Sequence, residues 1–169
     1  QGKFDDAEPF FKRALAVQEQ TLGPYHPEVA SRLNNVAGLL HDQGKYSDAE
    51  PLFKRSLAIR EQALGPHHPD VATSLNNLAG LLETRGIYND AEPLFNLSLA
   101  IREQKLGFDH PDVATTVNNL ASLLQAQGKY HYAGSLYKRS LSICEKALSP
   151  DHPAVAKNLN DLAGLLYDQ

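Results

Sequence analysis

The fold of this chain is decided by residues 68–107, which read HPDVATSLNNLAGLLETRGIYNDAEPLFNLSLAIREQKLG. The same pattern recurs every 42 residues along the whole chain. Its histidine–proline pair begins at His26, His68, His110 and His152. A fixed period of this length is typical of a stacked repeat array, in which each repeat packs against its neighbours. We therefore expect a single array over 1–169, with repeat frames 2–43, 44–85, 86–127 and 128–169.

Each repeat is predicted to contain two helices. Pro69 suits the first helical position, where its missing N–H would have no partner in any case. Leu75 and Leu78 belong to a series of apolar residues spaced three or four apart, which indicates one buried helix face. These patterns predict a helix over 70–84, called A, at the end of one frame. They predict a second helix over 89–106, called B, at the start of the next frame.

The ends of these helices carry their own signals. Gly86 and Gly107 are predicted to end helices A and B, because glycine readily adopts the left-handed conformation common after a helix. Ser47 and Glu50 have the spacing of a capping box, which predicts that Ser47 caps the start of helix B in the second frame.

The chain as a whole is predicted to be all-α, with eight helices in the order B-A-B-A-B-A-B-A. Short loops between the helices make consecutive helices antiparallel. The chain begins within the repeat pattern, so we expect it to be a fragment of a longer array.

Composition narrows the class of function. The net charge is −4, and the 16 basic and 20 acidic residues are interspersed, so no basic field would attract nucleic acid. No stretch approaches the roughly 20 apolar residues that cross a membrane. Cys144 is the single cysteine and fits a reducing compartment. We expect a cytoplasmic protein that binds no cofactor.

The repeated histidines and glutamates have a structural interpretation. Repeats stack roughly 10 Å apart and a metal–nitrogen bond is about 2.1 Å long, so the ladder histidines cannot share an ion. We expect them to begin helices. Glutamates recur late in helix B, and we expect them to bind the following loop or a basic neighbour such as Arg60 or Arg102. They are Glu19, Glu61, Glu103 and Glu145. Without a nucleophile–base pair, a metal cluster or a phosphate loop, the sequence predicts no enzymatic activity.

The repeat resembles the tetratricopeptide repeat, whose usual period is about 34 residues. The residues at that motif's characteristic positions are Leu75, Leu78, Ala79, Leu82, Gly86, Tyr88, Ala91, Phe95 and Ser98. The longer period, with Leu-Asn-Asn-Leu-Ala and Leu-Gly-x-x-His-Pro-Asp-Val-Ala, is similar to the repeats of kinesin light chains. The resemblance implies a right-handed α-solenoid whose A helices line a concave groove.

The resemblance places this groove at four positions in each helix A. Their spacing puts them on one stripe, opposite the apolar face. The positions are Ser31, Asn34, Gly38 and His41; Thr73, Asn76, Gly80 and Glu83; Thr115, Asn118, Ser122 and Gln125; and Lys157, Asn160, Gly164 and Tyr167. Only Lys157 among them is basic, so a clamp for acidic tails is not expected.

One groove position is asparagine in every repeat. These residues are Asn34, Asn76, Asn118 and Asn160. An amide both donates and accepts, so a row of four could hold the backbone of an extended segment. Alternatively, the amides tie adjacent repeats together or cap the turn between A and B. A mainly structural role is expected for the next residues in sequence, Asn35, Asn77, Asn119 and Asp161.

Two classes of function follow from these patterns. The first is a protein–protein interaction scaffold that binds an extended or helical segment of a protein partner in the groove. The alternative is a self-associating array, or a structural or designed spacer without a dedicated ligand. The chain starts with a B helix and ends with an A helix, which predicts that its ends could stack between copies.

Overall fold

A computed structural model describes residues 2–168 of the backbone and the side chains of residues 9–11 and 13–167. This part of the chain forms eight α-helices and no strand. They are α1 (Gly2–Leu22), α2 (Pro27–Asp42), α3 (Tyr46–Leu64), α4 (Pro69–Thr84), α5 (Tyr88–Leu106), α6 (Pro111–Ala126), α7 (Tyr130–Ala147) and α8 (Pro153–Asp168). The predicted helix order is confirmed, with B helices at odd numbers and A helices at even numbers.

The chain divides into two compact units, 1–85 with α1–α4 and 86–169 with α5–α8. The boundary coincides with the one between the second and third repeat frames. Within each unit, consecutive helices pack against each other. The two A helices of a unit also touch directly, α2 with α4 and α6 with α8. Each unit therefore presents two neighbouring A helices.

Every A helix begins at a histidine, as the sequence predicts. The imidazole Nδ1 accepts a hydrogen bond from the backbone N–H two residues later, and proline takes the first helical position. The N–Nδ1 distance is 3.2 Å at His26 and 3.1 Å at His68, His110 and His152. The acceptor nitrogen satisfies one of the N–H groups that a helix start leaves free.

The B helices begin differently from the prediction. The residue before α3 is Lys45, and no side chain caps this helix start. Ser47 already lies inside the first turn, so the predicted capping box is wrong. Glu50 instead binds the Lys54 ammonium at 2.6 Å and the guanidinium of Arg85. The hydrogen bond from Lys54 is the main cause that lowers the pKa of Glu50, and the charge of Arg85 adds to it.

The B helices end at glycine where the repeat is regular. Gly107 follows α5 with φ +89°, a conformation that side chains rarely adopt. In the last repeat Ser149 stands at this position, and no described residue other than glycine has a positive φ. Helix α7 therefore ends earlier, at Ala147, and Leu148 is extended with φ −126° and ψ 166°.

The cores lie between the apolar faces of the A and B helices. In the first unit one cluster joins Val29, Ala30 and Leu33 of α2 to Ile59 of α3. Two clusters occupy the second unit, and both join α6 and α7 to α8. This packing leaves the opposite face of each A helix as the one that carries the predicted groove residues.

Candidate peptide-binding face

The predicted groove residues differ in how far they are exposed. The exposed ones are Ser31, Thr115, Lys157, Asn160, Gly164 and Tyr167. The half-buried ones are Asn34, Gly38, His41, Thr73, Gly80, Glu83, Ser122 and Gln125. Two are buried, Asn76 with 7% and Asn118 with 4% of their surface exposed. Six positions of the stripe are thus open to solvent, while Asn76 and Asn118 lie deeper than the sequence suggests.

The asparagines link neighbouring A helices within each unit. In the first unit, Asn77 Nδ2 of α4 donates to Asn34 Oδ1 of α2 at 3.1 Å. In the second, Asn118 Nδ2 of α6 donates to Asp161 Oδ2 of α8 at 2.9 Å. These bonds support the structural alternative for Asn34 and Asn118, and they agree with the expected role of the neighbouring positions. A role for the amides in holding a peptide stays a prediction.

The hydroxyl at the first groove position is held by its own helix. Ser31 Oγ donates to the Pro27 carbonyl at 3.3 Å, and Thr115 Oγ1 donates to the Pro111 carbonyl at 3.2 Å. Ser31 Oγ also accepts from the Arg60 guanidinium at 3.2 Å. These two hydroxyls therefore have fixed orientations near the starts of α2 and α6.

Three glycines of the stripe face open space. A β-carbon built at Gly38, Gly80 or Gly164 would meet no atom within 4 Å. All three lie inside helices, and a glycine inside a helix makes that helix less stable than an alanine would, by roughly 0.5–1 kcal/mol. Packing within the chain therefore does not explain why glycine occupies these positions.

The groove position at the end of each A helix differs in its surroundings. His41 Nε2 lies 3.1 Å from Thr84 Oγ1 of α4, and the Tyr137 hydroxyl donates to Gln125 Oε1 at 3.0 Å. Tyr167 is 92% exposed. The repeats thus offer different chemistry at the position where the sequence varies most.

Two arginines, Arg60 and Arg102, are buried between helices, which the sequence patterns did not predict. Arg60 donates to the Asp70 carbonyl at 3.0 Å and to Ser74 Oγ at 2.8 Å. Arg102 repeats these bonds one frame later, with the Asp112 carbonyl and Thr116 Oγ1. Burial lowers the pKa of both arginines, while the carboxylates of Asp70 and Asp112 oppose this shift. The signal in the sequence was an arginine followed 14 residues later by a serine or threonine.

Two of the repeated glutamates bind a basic neighbour, as predicted, but not the arginines that the sequence suggested. Glu19 of α1 pairs with Arg55 of α3 at 2.6 Å, and Glu103 of α5 pairs with Arg139 of α7 at 2.6 Å. Each pair joins successive B helices, since Arg60 and Arg102 turn inward to the A helices. The structural role of these glutamates is therefore supported, but the named arginine partners are wrong.

A cleft of about 270 Å³ lies in the second unit, at the start of α6 and α8 and the end of α7. Thr115, Asn118 and Lys157 of the predicted groove line it, together with Cys144 and Asn158. Over the described residues, no cluster of three or more histidines, cysteines or acids could hold a metal ion. No helix in the same part of the chain is long and apolar enough to cross a membrane.

The class of protein follows from family comparison. The family model described as Tetratricopeptide repeat matches residues 1–62, 31–104 and 112–169. The chain therefore belongs to the tetratricopeptide repeat family, as its sequence resemblance predicts. No curated protein matches the chain at a significant level.

Solved structures narrow this class to repeats like those of kinesin light chains. BtubC (BKLC) from P. vanneervenii matches with a TM-score of 0.84 and 22% identity, over 98% of this chain and 66% of that chain. A Podosopora anserina protein described as a putative kinesin light chain with nearly identical TPR-like repeats matches with a TM-score of 0.78 and 25% identity. The match covers 98% of this chain and 79% of that one. A single-residue variant of the same protein matches with a TM-score of 0.80. The predicted fold class, an all-α solenoid of tetratricopeptide type, is confirmed.

Proposed function

We propose that this protein is a scaffold that binds an extended or helical segment of another protein along the A helices. Tetratricopeptide repeats generally mediate protein–protein interaction, which supports the class of function. Within each unit the two A helices that carry the predicted groove residues touch each other, which supports a binding face shared by both helices. We further propose a cytoplasmic location, which the single, unpaired Cys144 favours.

The helical glycines are the observation that carries this proposal. Gly38 and Gly80 lie at the same position of adjacent helices α2 and α4. Their missing side chains leave open space above the helix backbone, although alanine would make both helices more stable. A partner backbone that approaches these helices closely would account for glycine at both positions.

Specificity is proposed to come from the position that varies between repeats. It carries His41, Glu83, Gln125 and Tyr167, whose side chains are an imidazole, a carboxylate, an amide and an exposed phenol. Lys157 is the one basic residue of the stripe, so the proposal does not include a clamp for acidic tails.

Selection from a peptide library displayed on phage would test the proposed function. Peptides that the wild-type protein selects should bind at least tenfold more weakly, a loss of about 1.4 kcal/mol, when Gly80→Gln or Gly38→Gln fills the open space. Ala58→Gln adds the same side chain on an exposed position of α3 and should leave binding unchanged. Selected peptides that bind both glycine variants as tightly as the wild type would overturn the proposal.

Self-association is a second candidate function, which exposed apolar residues of α8 favour. Leu159 and Leu166 are 50% and 64% exposed, and both lie on the same helix as the exposed Tyr167. If copies of the chain stack through this face, sedimentation equilibrium should show a mass that rises with concentration. Leu166→Glu should return the protein to a monomer, whereas Leu97→Glu on α5 should not. A monomer over the whole concentration range would contradict this candidate.

A further inference from the structure

The cleft in the second unit occupies a place that arginine fills in other repeats. Cys144 of α7 stands at the position of Arg60 in α3 and of Arg102 in α5. Those two guanidiniums are buried between a B helix and the following A helix, where each binds a carbonyl and a hydroxyl. The side chain of Cys144 is shorter: its Sγ accepts only a long hydrogen bond from Asn158 Nδ2 at 3.5 Å, and the cleft of about 270 Å³ opens beside it.

A second substitution accompanies the loss of arginine. Asn158 stands where Ser74 and Thr116 accept a hydrogen bond from the arginines. Asn158 Nδ2 now donates to the Ala154 carbonyl at 2.8 Å, and this carbonyl is the counterpart of the Asp112 carbonyl that Arg102 binds. Because a carbonyl can only accept, this bond determines which end of the amide is nitrogen. Asn158 Oδ1 is left as a buried acceptor without a partner among the described residues.

A third substitution creates a second acceptor of the same kind. In the first unit Asn34 accepts from Asn77, but Asp161 replaces that donor in the last repeat. A carboxylate can only accept, so Asn118 turns its Nδ2 towards Asp161. Asn118 Oδ1 is then buried and has no partner within the described part of the chain. Asn118 and Asn158 are each 4% exposed, and both line the cleft.

Charges of both signs lie near the cleft. Lys157 lines it, and the carboxylate of Asp161 binds Asn118, which also lines it. Burial raises the pKa of the Cys144 thiol, and the negative charge of Glu145 raises it further. His152, which also lines the cleft, uses Nδ1 as an acceptor for the Ala154 N–H.

We propose that this cleft receives the guanidinium of an arginine side chain from a bound partner segment. A guanidinium has five N–H donors and no acceptor, which suits a site whose unpaired groups are two amide oxygens. Arg60 and Arg102 seat the same chemical group at the equivalent place within this chain. Thr115, Asn118 and Lys157 belong to the predicted groove, so the cleft opens where the partner segment would lie. The inference rests on the proposed scaffold function.

The single cysteine provides a direct test that needs no partner protein. N-acetyl-arginine amide should slow the alkylation of Cys144 by iodoacetamide, roughly tenfold when the amide is present at ten times its dissociation constant. N-acetyl-lysine amide has a point charge in place of the planar donor fork and is the control. Equal protection by both amides would show that the cleft does not select a guanidinium, and no protection by either would show that it binds neither cation; each result would overturn the inference.

Variants that fill the cleft give an independent measurement. In Cys144→Ser, which keeps the cleft open, the side-chain amide NMR signals of Asn118 and Asn158 should shift on addition of N-acetyl-arginine amide. In Cys144→Arg these shifts should be lost, because the protein's own guanidinium occupies the place. The double variant Cys144→Arg with Asn158→Thr reproduces in the last repeat the pairing that Arg102 makes with Thr116, which guards against misfolding. Persistence of the Asn118 shift in the folded double variant would contradict the proposal.

The outcomes separate this inference from the proposed function. If the peptide library yields binders whose affinity does not change when arginine is replaced by citrulline, the scaffold function stands and the guanidinium site fails. If the library yields no binder but N-acetyl-arginine amide still protects Cys144, the cleft stands and the peptide-binding function fails.

Discussion

Single residues decide where each helix of this protein begins and ends. A histidine ring nitrogen satisfies the first N–H groups of the A helices, and glycine with positive φ ends the regular B helices. Replacement of that glycine by Ser149 shortens α7 and leaves Leu148 extended. Glycine has a different role at position 80, where the backbone is helical and a β-carbon would meet no atom within 4 Å.

A matched pair of alanine substitutions would separate these two roles of glycine. Gly80→Ala should raise the free energy of unfolding by about 0.5–1 kcal/mol, because alanine favours the helix more than glycine does and its β-carbon would meet no other atom. Gly65→Ala should lower it by about 1–3 kcal/mol, because Gly65 has φ +84° and ψ 155°, a region that is essentially restricted to glycine. Urea unfolding monitored by circular dichroism would measure both. Destabilisation by Gly80→Ala would show that packing requires this glycine.

At the scale of helices, ion pairs connect elements that are distant in sequence. Glu50 of α3 binds Lys54 on its own helix and Arg85 directly after α4. Glu19 and Arg55 join α1 to α3 in the same unit. These contacts fix the lateral position of one helix on another, which apolar packing alone leaves less defined.

The Glu50 contacts predict a dependence of stability on pH. The pKa of Glu50 is lower in the folded protein than in a free glutamate, mainly because of the hydrogen bond from Lys54. The stabilisation is therefore present above the unfolded-state pKa of about 4.3 and is lost as the pH falls through the lower folded-state pKa. Glu50→Gln should be less stable than wild type at pH 7, and the difference should shrink on acidification.

Urea unfolding of both proteins between pH 7 and pH 3 would check this prediction. Glu61→Gln removes the same charge from an exposed position of the same helix and serves as the control. If both variants differ from the wild type by the same amount at every pH, the pairing of Glu50 makes no specific contribution.

At the scale of the molecule, each half of the chain contains its own core. The cluster of Val29, Leu33 and Ile59 lies wholly in residues 1–85, and the clusters around Val117 and Leu165 lie wholly in residues 86–169. Arrays of this kind derive their stability from each repeat and its nearest neighbours. Each half therefore has the apolar contacts that a folding unit requires.

Separate expression of the two halves would test this independence. Fragments 1–85 and 86–169 should each be helical and unfold cooperatively, with an m value about half that of the whole chain, since m scales with the surface exposed on unfolding. Circular dichroism and urea titration would measure both properties. A fragment without cooperative unfolding would show that its core requires the other half of the chain.

Much of this fold could be predicted because its signals are local and repeated. The 42-residue period, the histidine starts and the glycine ends gave the helix order correctly. The capping box at Ser47 failed because helix α3 begins at Tyr46, before the residue that was expected to cap it. The partners of Glu19 and the inward turn of Arg60 depend on how helices lie against each other, which spacing along one helix does not reveal.

The amino-acid sequence by itself determined the repeat register, the eight helices and the membership of the tetratricopeptide family. Those features depend on apolar periodicity and on backbone preferences, which act over a few residues and recur in every frame. Only the tertiary structure decided how the polar groups pair: that Asn118 and Asp161 bind across helices, that arginine is buried in α3 and α5, and that a cleft lies beside Cys144. A hydrogen bond between side chains 43 residues apart depends on the distance between two packed helices, so it exists only once those helices have packed.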